Sequence, residues 1–158
     1  MVNTEHVSVQ RVREALASHG LTPEVRWFDE AATTAQAAAD ALGIEVGAIA
    51  NSLVFALDGA PVLVLTSGSH RVETEWLGER LGGTLGRASK EMVREATGQV
   101  IGGVAPVGHP EPLRTLVDVA LADYPVVWAA AGHAHTVFPT SFDELVRITG
   151  GEATAVAP

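Results

Sequence analysis

The chain has 158 residues, 47% of them hydrophobic and 18% charged, with 10 Lys+Arg against 19 Asp+Glu for a formal charge of −9. That length and apolar content suit one domain with a sizeable core and exclude a natively disordered chain; the acidity excludes gripping nucleic acid by bulk charge. The absence of cysteine removes disulfides, thiol nucleophiles and thiolate metal sites.

Val9, Val12 and Leu16 recur at spacings of three and four before Gly20 and Pro23, and predict an amphipathic first helix. Val25–Phe28 is rich in strand formers. Thr33 or Thr34 is placed to cap the Ala-rich run Ala35–Leu42, with Gly43 in the position that ends a helix. Ile44, Val46 and Ile49 pack a short turn. Ser52–Leu57 and Pro61–Leu65 are apolar runs joined around Asp58-Gly59, a strong hairpin signal. Thr66–His70 reads as a loop, Val72–Leu81 as a helix closed by Gly82, and Thr84–Arg87 as a short strand. Ser89 caps a further helix that ends at Gly98.

Val100–Gly108 is apolar but holds Gly102-Gly103 and Pro106, which disfavour a central strand and suit a shaped loop with exposed amides. Leu113–Asp118, Val126–Ala130 and Thr136–Phe138 read as strands. Thr140 and Asp143 are placed like a capping box for a last helix through Leu145 and Ile148, and Ala153–Val156 closes the chain as a strand. Short strands outnumber helices and some are hairpin-spaced, so simple βαβ alternation does not fit. The expected class is α+β, a compact single domain with a mixed, curved, barrel-like sheet and surrounding helices. The polar opening Met1–His6 lacks a leader pattern, and charges, Gly or Pro cut every apolar run before about 18 residues. The expectation is a cytoplasmic protein that makes no membrane contact.

Few of the chain's side chains group into familiar chemistry. His133-Ala134-His135 brings two imidazoles together without further ligands at metal-site spacing, so no metal is expected. Ser67-Gly68-Ser69-His70 has the composition of a nucleophile elbow but not its order, and no phosphate-binding glycine motif is present. Nine of the ten basic residues are Arg, and the one lysine, Lys90, sits in a basic strip with Arg80, Arg87 and Arg94. Such a strip is either a solvated face or a surface for a polyanion. The Gly-x-x-x-Pro spacing from Gly102 to Pro106 leaves amides free to bind a carbonyl or a developing oxyanion.

Ala50-Asn51-Ser52-Leu53-Val54-Phe55, then Val62-Leu63-Val64, then Ile101–Gly108 with its Gly-x-x-x-Pro loop, resemble the YbaK/prolyl-tRNA synthetase-associated editing domain family. Trp128–His133 through Phe138-Pro139 to Leu145 extends the resemblance over nearly the whole chain, read as a single editing domain over residues 1–158. It implies hydrolysis of the ester between a wrong, small amino acid and the 3′ end of tRNA, with water as nucleophile and no metal or organic cofactor. It places Gly102, Gly103, Val104, Ala105 and Pro106 around the aminoacyl carbonyl. Asn51 stands where members carry a lysine, in a Val-Lys-Thr/Ser-Leu-like string, and a serine that some members carry near Ala130 is missing. Asparagine can position a water but brings no charge, so a binding module without turnover is the alternative.

Strand alternation lets only one of Asn51 and Ser52 face a pocket fully, and position favours Asn51. Ser52 is then either in the site or hydrogen-bonded within the sheet. Asp118 is either a substrate contact or a strand-end cap. His135 lies where the family's chain passes the pocket and is a candidate neutral base. So acidic a chain is expected to bind aminoacyl-tRNA weakly, and no DNA, leaning on Arg80, Arg87, Lys90 and Arg94 or on a partner such as prolyl-tRNA synthetase.

Overall fold

The computed structural model describes residues 6–32 and 34–158. In chain order these form α1 (Val7–Ser18), β1 (Arg26–Trp27), α2 (Ala35–Leu42), β2 (Ile49–Leu57), β3 (Ala60–Ser67), α3 (Thr74–Leu81), β4 (Leu85–Arg87), α4 (Lys90–Thr97), β5 (Thr115–Asp118), β6 (Val127–Ala129), β7 (Thr136–Thr140), α5 (Phe142–Thr149) and β8 (Glu152–Thr154). Short 3-10 turns occupy Val46–Ala48 and Val119–Asp123. No helix among the described residues is long and apolar enough to cross a membrane.

The local signals hold closely. Thr34 caps α2 through the Ala37 N–H at 3.0 Å, and Gly43 ends it at φ +69°; the other candidate cap, Thr33, lies outside the described residues. Ser89 caps α4 through the Met92 N–H at 3.1 Å. The last helix differs by one residue. Its cap is Ser141, which accepts from the Glu144 N–H at 3.2 Å, while Thr140 completes β7 and donates its hydroxyl to Glu144 Oε1 at 2.9 Å. Pairing of β7 with β6 runs through Thr140, so the helix starts one residue later than the Thr140–Asp143 spacing predicts. Thr66 and Ser67, expected in a loop, extend β3.

The sheet is mixed and follows the order β1-β7-β6-β2-β3-β5-β8, with β4 attached to β2 off that path. Its ends, β1 and β8, are unpaired to each other, so the sheet is open rather than closed into a barrel. The β2–β3 hairpin is its spine, paired from Ala50↔Ser67 to Leu57↔Ala60. Asp58 and Gly59 turn it with φ of +49° and +86°, the two positive values that a two-residue turn matched to strand twist needs. Asp58 also ties the turn to β4, giving its N–H to the Thr84 carbonyl and taking the Thr84 N–H at Oδ1, both at 2.9 Å.

Side chains alternate across this spine as the strand period requires. Ala50, Leu63 and Leu65 join the main core with Val9, Val12 and Leu16 of α1, Phe138, Leu145 and Ile148. Val62 and Val64 point the other way, onto Leu77 of α3, and Ile49 packs against Ala38 and Ala39 of α2. Each buried Val or Leu contributes about 1.5–3 kcal/mol, so the hairpin is held from both faces. Its second edge is held only in part.

Candidate functional site

The free edge of β2 has two short partners with a gap between them. Parallel β6 takes Ile49 and Ala50, and antiparallel β4 takes Phe55 to Leu57. Between them residues 51–54 have no strand partner on that side. In an antiparallel ladder, successive residues send their N–H and C=O to opposite edges. The Asp58 N–H reaches Thr84 on the β4 side, so Ser52 and Val54 face the same way, into the gap. Pairing stops there because the chain after β4 turns at Ala88-Ser89 to enter α4, and β6 ends before Gly132.

A cleft of about 1050 Å³ opens on this gap, lined by Asn51, Ser52, Val54, Gly102, Val104 and Ala130 among others. Asn51 and Ser52 both line it, although alternation puts their side chains on opposite faces. The cleft wraps around an exposed strand edge instead of lying on one face. Ser52 Oγ is buried without any hydrogen-bond partner, which costs about 1–3 kcal/mol unless another group satisfies it.

The Gly102–Pro106 loop contributes Gly102 and Val104 to the lining, and its amides divide into two sets. The Gly103 N–H donates to the Val100 carbonyl at 3.1 Å, and the Ala105 N–H to Gln99 Oε1 at 2.7 Å. Pro106 has no N–H to offer. The Gly102 and Val104 amides donate to no described residue, and these two residues line the cleft. Of the five positions that the resemblance placed around a carbonyl, these two retain available donors.

The loop is anchored from behind. Gln99 is buried and spans it, with Nε2 donating to the Val107 carbonyl at 3.3 Å. His109 Nε2 lies 2.9 Å from the Ala105 carbonyl, and burial pushes its pKa below the ordinary histidine value against the pull of that carbonyl. A Cβ on Gly103 would lie 2.7 Å from the His133 carbonyl carbon, so the loop seats directly on the His133 backbone. Sequence reasoning missed Gln99. Its signal was a lone carboxamide between a helix-ending glycine and an apolar run.

Asp118 lies outside the cleft. It is fully buried and accepts from the Ser67 N–H at 2.9 Å and the Ala120 N–H at 2.9 Å, with Thr66 Oγ1 at 3.3 Å and His70 Nδ1 at 3.0 Å. Those contacts make it a strand-end cap. His135 also falls outside the lining; its Nδ1 sits 3.0 Å from the Phe28 carbonyl, tying the turn before β7 to β1. His133 and His135 occupy that turn and not a strand, with ring centroids 5.1 Å apart and His6 4.8 Å from His133. Burial, then the neighbouring His6 and His135, lower the His133 pKa. Among the described residues no group of three or more His, Asp and Glu side chains is arranged to hold a metal.

The basic strip separates. Arg87 and Lys90 stand at the cleft, joined by Arg71 from the segment before α3. Arg80 instead lies over the Trp76 ring at 4.7 Å, and Arg94, exposed on α4, is not among the lining residues.

The sequence pattern described as the aminoacyl-tRNA editing domain matches residues 29–148. YwhH of Bacillus subtilis (strain 168) is 27% identical over 140 residues, covering 88% of this chain and 89% of its own length. A proline–tRNA ligase of Maridesulfovibrio salexigens is 33% identical over 93 residues, which are 56% of this chain but only 16% of the ligase. The solved structure of a candidate trans-editing enzyme for prolyl-tRNA synthetase superposes with a TM-score of 0.89 at 39% identity, covering 96% of this chain and 98% of that one.

Proposed function

The chain belongs to the aminoacyl-tRNA editing domain family, and we propose that it carries out that editing by hydrolysing the ester of a mischarged aminoacyl-tRNA. One observation supports this above the others: Gly102 and Val104 line the same cleft as the open edge of β2, and their amides donate to no described residue. Water attacks the ester carbonyl, the carbonyl oxygen takes up negative charge, and the bond to the terminal ribose oxygen breaks as that oxygen gains a proton. Two fixed amides beside the carbonyl meet the charge as it develops, and one such donor is worth roughly 10²–10³ in rate. Asn51, one of the polar side chains lining the cleft, holds the water by hydrogen bonding and without charge. Arg71, Arg87 and Lys90 supply cations for the phosphates of the acceptor end.

The test is release of free amino acid from a panel of tRNAs charged with small, wrong amino acids, with and without a prolyl-tRNA synthetase. Wild-type protein is expected to release at least one, and Gly102→Val to abolish release. Gly102 holds φ +96°, which a β-branched residue resists. No release from any member of the panel overturns the proposal. Asn51 favours a second reading, a binding module that holds the aminoacyl end without turnover. On that reading wild type binds but does not hydrolyse, and Asn51→Lys creates activity.

A further inference from the structure

Resting on the editing reading, the geometry of β2 points to what the cleft recognises in its substrate. We propose that the open edge at Ser52 and Val54 pairs with the aminoacyl group as if it were one residue of an added strand, so that the site accepts esters of unblocked α-amino acids. Three observations carry this.

First, the edge is incomplete in one place only. The ladder to β6 ends at Ala50 and the ladder to β4 begins at Phe55. The open stretch, residues 51–54, is about 13 Å long at roughly 3.3 Å per residue. Strands on both sides block a longer peptide from lying along it, whereas the main chain of a single amino acid fits.

Second, the exposed groups have the right order. A residue facing an edge presents its N–H and C=O together, and an antiparallel partner meets them with its own C=O and N–H. An aminoacyl ester carries that same pair: an ammonium that donates and a carbonyl that accepts. The Ser52 carbonyl is the acceptor for the ammonium, and the Ser52 N–H, with that of Val54 beside it, is the donor to the ester carbonyl.

Third, Ser52 lies beyond the ends of both ladders on this edge, no other backbone bond engages it, and its buried hydroxyl has no partner. Buried polar groups are paired in the great majority of cases. An unpaired hydroxyl on a residue whose peptide groups lie between two ladders, on one cleft, is what a polar ligand would complete. The pairing also sets chemical limits. A substrate with its amine acylated, as in a peptidyl or formylated ester, loses the charged donor and adds bulk between β2 and its neighbours. A substrate with the amine deleted loses the donor alone.

The experiment compares one tRNA carrying alanyl, N-acetylalanyl or propionyl esters, each rate divided by that ester's spontaneous hydrolysis. Propionyl has the shape of alanyl without the amine, so it separates hydrogen bonding from crowding. The loss of a charge-assisted hydrogen bond predicts an enhancement about ten- to a hundredfold lower for propionyl, and lower again for N-acetylalanyl. Equal enhancement of all three esters overturns this inference and leaves the editing reading intact.

If no ester is accelerated, the hydrolytic reading fails instead, and the inference is decided by binding. Non-hydrolysable 3′-amide-linked alanyl- and propionyl-adenosine are then titrated into ¹⁵N-labelled protein. Shifts of the Ser52 and Val54 amides with the alanyl analogue, at least tenfold weaker with propionyl, support it. Equal shifts, or none, overturn it.

Discussion

The Ser67–His70 turn and the Gly102–Pro106 loop are both short, glycine-bearing segments attached to apolar stretches, yet they treat their polar groups in opposite ways. In the first, donors converge on a single buried carboxylate: Ser67 N–H and Thr66 Oγ1 reach Asp118, His70 Nδ1 lies 3.0 Å from it, and Ser67 Oγ goes to the Gly47 carbonyl. In the second, Gln99 and His109 take up the Ala105 amide and carbonyl while the amides of Gly102 and Val104, two residues of the cleft lining, are left over. Folding satisfies buried polar groups wherever it can. The turn whose groups are satisfied within the protein reads as scaffold, and the loop with donors to spare is the one we propose as the site. The presence of Ser, His and Asp side by side is thus a poorer guide to chemistry than the presence of donors with nothing to bind.

Substitutions at the two segments sharpen or break that contrast. Asp118→Ala leaves the buried Ser67 N–H without an acceptor and is expected to cost about 3 kcal/mol in urea unfolding. Deacylation by the protein that remains folded should be unchanged. Lost activity at undiminished stability would move Asp118 into the site and collapse the distinction. Gly103→Ala drives a Cβ to 2.7 Å from the His133 backbone, where neither side can yield without moving the loop. Its expected cost is smaller, about 2 kcal/mol, with a fall of roughly a hundredfold or more in deacylation. A normal rate in this variant would show that loop position does not matter to catalysis.

The cations extend the comparison outward. Arg87→Gln or Lys90→Gln should weaken tRNA binding and lower its salt dependence by about one unit of slope each. Arg80→Gln and Arg94→Gln should change it less, since neither residue lines the cleft. Equal effects at all four positions, measured by filter binding at several salt concentrations, would restore the continuous basic strip.

The smallest expected effect is on pH. His109 and His133 titrate below the ordinary value of 6.5 in the folded chain. Between that lowered value and 6.5 the unfolded chain therefore binds more protons, and stability rises with pH. Their contribution is intact above about 6.5 and is lost as the pH falls through that window. His109→Gln keeps a donor for the Ala105 carbonyl and should flatten the loss in denaturation curves taken between pH 7 and 5. An unchanged curve would remove His109 as a source.

Much of the fold was legible residue by residue. Helix α2, its cap and its terminal glycine, the Asp58-Gly59 hairpin and the irregular Gly102–Pro106 loop all followed from interactions within a few positions of one another. At the site, Asn51, Gly102 and Val104 were legible and do line the cleft, as do Arg87 and Lys90. Asp118, His135 and Arg80 were also singled out, and the fold uses each of them elsewhere. Gln99 was missed because its role depends on where the chain returns six and eight residues later.

Sequence by itself thus determined the elements, the capping glycines and the presence of a loop with amides to spare, because turn and helix energetics are local. Only the tertiary structure decided which amides remained free and where β2 stayed open. The gap depends on residues 85–87 and 127–129 reaching the same strand and stopping short of each other. That pairing spans up to 79 positions of chain, as between Ile49 and Trp128, and no pattern local to β2 encodes it.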